Sequence, residues 1–296
     1  MEEKMNSFFL FDITFWLYFI AAMLYIVYMV TNRVGELVPA GHPEGGSTRS
    51  MAIGQIATIL TASGWVANTF ALVMRALEAK HAPYANLFES MMLMAWGIII
   101  GYLLLEYIYK IKIIGVFVVS MGFLTIAIAS LLPFRYQTVE PLNPALQSNW
   151  LLIHVFVTFL GYAAFAIAFG LSIMYLLKER IEKKGMKDSF FMRFPDCTRL
   201  DELSYKSIAF GFPFLTFGII SGAIWANYAW GGYWSWDPKE TWSLIVWFIY
   251  AAYLHARMTR GWRGRRTAIF SVIGFISVIF LYWGVSFILP GLHAYA

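Results

Sequence analysis

Apolar runs of about twenty residues recur eight times along the chain, near 8–30, 51–75, 86–109, 112–132, 151–177, 207–226, 242–258 and 268–289. Each is long enough to cross the hydrocarbon core of a bilayer as a helix. Nothing constrains the fold more, because backbone amides inside lipid must bond within their own segment or in a closed barrel. Composition agrees: 60% of residues are hydrophobic and only 13% charged, where a soluble domain carries roughly 25%. The expected class is all-α, a polytopic integral membrane protein of about eight spans. No internal repeat or linker divides it, so 1–296 is read as one transmembrane helical domain. The opening Met-Glu-Glu-Lys lacks the basic flank of a secretory signal, so the first apolar run is read as a retained span.

Charge sets the orientation. The loop 178–206 holds eight Lys and Arg residues, and the loop after the seventh span holds Arg257, Arg260, Arg263, Arg265 and Arg266. With Arg33, Arg49, Lys110 and Lys112, seventeen basic residues fall on one side and five on the other. The positive-inside bias places both termini outside the cytoplasm, and with them the connection between spans six and seven. The net charge of +5 is thus an orientation signal, and no nucleic-acid partner is expected. The single cysteine, Cys197, excludes an internal disulfide and a Cys-x-x-Cys redox pair.

The connection 225–242 holds five of the twelve tryptophans, Trp225, Trp230, Trp234, Trp236 and Trp242, with Tyr228 and Tyr233. Rings of this kind gather at membrane interfaces in any case, but an interfacial belt spreads over all span ends instead of filling one loop. Asp237-Pro-Lys-Glu240 reads as a helix start: an N-cap, a first-turn proline and a capping-box glutamate. That role removes Asp237 and Glu240 from the acid–base candidates. Three of the five histidines, His81, His154 and His293, fall on the same face as the aromatic loop; His42 lies in an inner loop. A flat porphyrin needs apolar walls and axial ligands, and imidazole is a suitable one; His154 and His293 have the depth and side for it. His255 lies toward the inner end of span seven. It requires either a polar neighbour such as Arg257 or a partner on another subunit.

Trp230-Gly-Gly-Tyr-Trp234-Ser-Trp236-Asp237-Pro-Lys-Glu240-Thr-Trp242 resembles the WWD motif of haem-handling proteins of cytochrome c biogenesis. The arrangement over most of the chain is similar to the CcsA (ResC) family of System II. His81-Ala-Pro-Tyr-Ala-Asn-Leu-Phe-Glu89-Ser resembles a second outer signature of that family, read as packing beside the loop. The resemblance implies haem b as bound ligand and substrate, held above the WWD loop (Trp225, Trp230, Trp234, Trp236, Asp237, Trp242) by axial His154 and His293. His255 would share a second haem with a CcsB/ResB-type membrane subunit. The implied task is export of haem and its presentation for thioether attachment to apocytochrome c, with thiol-reducing proteins as further partners. The implied site is the bacterial cytoplasmic membrane, with the loop and termini outward. No residue is expected to act as a catalytic group; the chain is expected to be a subunit of a cytochrome c haem lyase complex, and the missing mate for His255 points away from activity without the partner. The alternatives are a haem-binding electron-transfer protein or carrier without ligation activity and, more weakly, a transporter of another flat aromatic ligand.

Overall fold

The computed structural model describes residues 6–31, 48–139, 142, 146–186 and 190–289. Eight long helices account for the expected spans, and no strand occurs among the described residues: α1 Ser7–Thr31, α2 Thr48–Ala79, α3 Leu87–Tyr109, α4 Gly115–Ser130, α5 Asn149–Lys183, α6 Cys197–Trp230, α7 Pro238–Thr259 and α8 Arg265–Ile279. A π-helical turn, Phe280–Gly284, and a last short helix, α9 Val285–Ile288, continue α8. Seven of the helices are long and apolar enough to cross a membrane. The eighth, α7, has 22 residues and so a length of about 33 Å. It falls short in apolarity, because Lys239, Glu240, His255 and Arg257 share it with three tyrosine and tryptophan rings below Ile245.

Boundaries differ from the apolar runs in an informative way. Helices α5 and α6 extend beyond 177 and before 207, shrinking the basic loop to 184–196. Lys183–Glu179 at 2.8 Å and Lys206–Glu202 at 2.6 Å stand at i,i+4 spacing on these extensions, as exposed helical turns favour. Polar caps begin the helices: Asn86 Oδ1 accepts from Glu89 N at 2.9 Å, and Asp196 Oδ1 from Arg199 N at 2.8 Å.

Helices α1 and α2 pair along their lengths, α3 and α4 pack beside them, and α5 joins this group to α6, α7 and α8. One buried apolar cluster draws residues from all eight helices. The α5–α6 pair is the most extensive contact, and small residues let the two backbones approach. A Cβ at Gly161 would lie 3.2 Å from the Gly211 carbonyl, the small-residue packing of membrane helices. Two buried ion pairs, Arg75–Glu89 and Arg257–Asp201, and a half-buried one, Lys112–Glu106, tie the bundle.

Candidate functional site: an aromatic-walled cavity between helices five, six and seven

The tryptophan stretch is mostly helix ends. Trp225 and Trp230 belong to the last turns of α6, which Gly231 terminates at φ +80°; the left-handed conformation suits glycine there. Trp242 lies in the first turns of α7. Only residues 231–237 form the connecting loop.

That loop is built around Glu240. Its Oε2 accepts from Ser235 N at 2.7 Å, Ser235 Oγ at 3.1 Å and Asp237 N at 3.2 Å. The Asp237 carboxylate accepts from Lys239 N at 3.0 Å, so the expected capping box is present. Between the two amides held by Glu240 sits Trp236, at φ +59° and 69% exposed. Tyr228 and Tyr233 are exposed beside it.

Beneath the loop lies a cavity of about 260 Å³. His154, Thr158 and Tyr162 line it from α5, Gly222 and Trp225 from α6, Tyr233 and Trp234 from the loop, and Lys239 from α7. Tyr84–Leu87 with Ser90 complete the lining, together with Tyr282 of the π turn. Ser90 Oγ and Tyr282 Oη are 2.6 Å apart, joining α3 to the C-terminal span. Burial pushes the Tyr84 phenol above its ordinary value. His154 Nδ1 lies 2.7 Å from the Gly218 carbonyl oxygen, and its ring is within 17° of parallel to Trp225, centroids 6.4 Å apart.

Of the residues singled out in the sequence, His154, Trp225 and Trp234 meet at this cavity. Trp230 supports it from behind, 4.8 Å from Trp225. Trp236 packs edge-on to Trp234 at 5.8 Å, and Trp242 packs on Phe280 at 4.4 Å. His81 is outside the lining, its Nδ1 donating to Ala82 O at 2.9 Å. The segment after it, Tyr84–Leu87, lines the cavity, a more direct role than packing beside the loop. His293 and His42 lie outside the described residues.

His255 is distant and exposed on the outer face of α7. Pairing with Arg257 does not occur: Arg257 Nη1 donates to Asp201 Oδ2 at 2.6 Å, and its guanidinium stacks over Tyr205 at 4.8 Å. Residues not expected from sequence include Thr158, Lys239 and Tyr282. Thr158 was detectable in principle, since it follows His154 by four residues on one helical face.

The family described as Cytochrome C assembly protein matches residues 84–293. A cytochrome c biogenesis protein CcsA of Guillardia theta is 44% identical over 259 residues, covering 82% of this chain and 85% of that one. A CcsA of Prochlorococcus marinus is 41% identical over 264 residues, with 81% and 84% covered. Among solved structures, a cytochrome c haem lyase CcmF superposes with a TM-score of 0.65 at 16% identity. It covers 96% of this chain, which spans about half (48%) of the CcmF chain, and the likeness is one of fold.

Proposed function

The chain belongs to the cytochrome c assembly protein family, and from that premise we propose that it is the haem-presenting subunit of a cytochrome c synthase. The observation that carries this reading is the convergence of His154, Trp225, Trp234 and Lys239 on one cavity open to an exposed aromatic loop. Flat apolar walls suit a porphyrin face. The ring of His154 supplies one axial ligand. The Lys239 ammonium, which lines the cavity with the Asp237 carboxylate near it, neutralises a propionate. His293 supplies the second ligand. An open shelf suits transfer to another protein better than a haem enclosed for electron transfer.

Haem b brings the vinyl groups. In attachment, the sulfur of an apocytochrome cysteine bonds to one vinyl carbon and the thiol proton goes to the other. This chain contributes position and orientation, and no side chain of its own forms a covalent bond. A second haem is shared between His255 and a histidine of a CcsB/ResB-type subunit. His255 supports this by facing outward on a stripe with Ile245, Phe248 and Ala252, the i, i+3, i+7, i+10 spacing of a helix–helix seam. The aromatic loop faces outward from the bacterial cytoplasmic membrane, opposite the basic loops.

The test is the absorption spectrum of the purified chain, alone and with its membrane partner. Bound haem is expected in the complex, weakened by His154→Gly or His293→Gly and restored by added imidazole. A complex devoid of haem would sink the proposal, as would normal cytochrome c maturation by the His154/His293 double variant.

A further inference from the structure

We infer that Gly218 and Gly222 are positioning residues that fix the tautomer and the plane of His154, so that the site selects a metal-bearing porphyrin over the metal-free ring. This rests on the haem-presenting reading and extends it to residues nothing else assigns. A backbone carbonyl only accepts hydrogen bonds, and the Gly218 oxygen lies 2.7 Å from His154 Nδ1. Nδ1 is therefore the protonated nitrogen of the neutral ring, and the lone pair belongs to Nε2. A ring held this way offers an electron pair, which a metal centre takes up. A hydrogen bond from the distal nitrogen to a carbonyl also raises the basicity of the ligating one.

The approach that makes this bond possible depends on absent side chains. A Cβ at Gly222 would stand 2.7 Å from His154 Nδ1 and 2.8 Å from Cε1, closer than real Cβ contacts. A Cβ at Gly218 would strike Thr158 Oγ1, one turn along α5 from His154. The ring cannot slide along α5 to escape, because Thr158 and Leu151 are buried on the same side. Trp225, 2% exposed, closes the next position on α6. Gly222→Ala must then rotate or expel the imidazole.

The experiment titrates the full-length chain in detergent with zinc protoporphyrin IX and with metal-free protoporphyrin IX, followed by absorption and fluorescence. Zinc porphyrin takes one axial ligand and undergoes no redox change, so with His255→Ala and His293→Ala as the common background it reports on the His154 imidazole alone. Wild type is expected to show the axial-ligand shift of the zinc band. Gly222→Ala should weaken zinc porphyrin by about ten-fold or more, the scale of losing a second-shell partner of a metal-ligating histidine, and metal-free porphyrin by less than about two-fold. His154→Gly should match it, with imidazole restoring the zinc band there but not in Gly222→Ala. Gly161→Ala, which strains the same helix pair against Leu215 N and Gly211 O, should leave the preference for zinc intact.

Equal losses for both porphyrins in Gly222→Ala, or a selective loss in Gly161→Ala, overturn the inference. Failure of wild type to bind either porphyrin, both alone and with its membrane partner, instead overturns the haem-presenting reading. Should Gly222→Ala not fold, long-range nitrogen–proton spectra of the histidine-labelled wild-type chain decide the tautomer. Protonated Nε2 on neutral His154 refutes the assignment.

Discussion

Trp236 holds a left-handed backbone conformation, at φ +59°, that costs a side-chain-bearing residue about 1–2 kcal/mol, and it is mostly exposed. Such strain persists only where neighbours over-determine it; here Glu240 does so by holding the amides on either side. Glycine at 236 removes that cost but adds about 0.5–1 kcal/mol of unfolded-state entropy. Trp236→Gly is therefore expected to raise stability by up to about 1 kcal/mol, read by denaturation in detergent, while weakening porphyrin binding. A parallel fall in stability would show that the ring packs more than its exposure implies. Glu240→Gln exchanges charge-assisted bonds for neutral ones and should cost about 1 kcal/mol, with Glu240→Ala costing more; tryptophan emission should shift in both. Sequence alone disclosed the cap at Asp237 and Glu240, because capping is a local code. It could not disclose the two Ser235 donors on Glu240 or the strain at Trp236, which depend on how the loop closes.

Elements were legible where hydropathy speaks and obscure where it does not. All eight apolar runs are helices, yet α5 and α6 continue beyond their apolar parts as charged turns that a bilayer argument cannot see. The tryptophan stretch read as a loop because its rings and charges end an apolar run, although Gly231-Gly232 was the better marker of where α6 stops. The π turn at Phe280–Gly284 left no trace in the pattern; it turns Tyr282 toward Ser90 and the cavity wall, and such turns concentrate at functional sites. The Tyr84–Leu87 part of the lining depends on Arg75. Its Nε donates to Glu89 at 2.9 Å, its Nη2 to the carbonyls of Gln137 at 2.5 Å and Thr138 at 3.0 Å, and Phe8 and Phe88 flank it. Glu89 in turn accepts from Ala85 N at 2.9 Å, fixing the stretch that lines the cavity. Removing one member of a fully buried pair leaves an uncompensated charge, so Arg75→Met should cost about 3–5 kcal/mol. The Arg75→Met/Glu89→Met double variant should recover part of that loss in thermal denaturation. Equal stability of the single variant and wild type would mean that water reaches the pair.

Across the whole molecule, α6 carries the design from end to end. Its last turn bears Trp225 and Trp230 at the cavity, and its first turns bear Asp201, which binds Arg257, Gly264 N and Thr267 Oγ1 at 2.6, 3.0 and 2.8 Å. The two ends are about 50 Å apart along the helix, so the proposed orientation puts the cavity and Cys197 on opposite sides of the membrane. A membrane-impermeant thiol reagent should reach Cys197 only from the cytoplasmic side, and a Tyr233→Cys chain only from the outside at the new position; the reverse pattern would invert the proposed orientation. His255 belongs to neither end and was ambiguous in sequence between an internal partner and an external one. Asp201 resolves half of that question by occupying Arg257. An exposed imidazole on an otherwise apolar face has no packing role, so His255→Ala should leave the isolated chain within about 0.5 kcal/mol of wild type. On the proposed two-haem reading, the complex with the partner subunit should behave differently, losing one haem while the outer site keeps its imidazole-sensitive spectrum. If the isolated chain instead melts far below wild type, His255 has an internal role, and the seam on α7 is not where the second subunit docks.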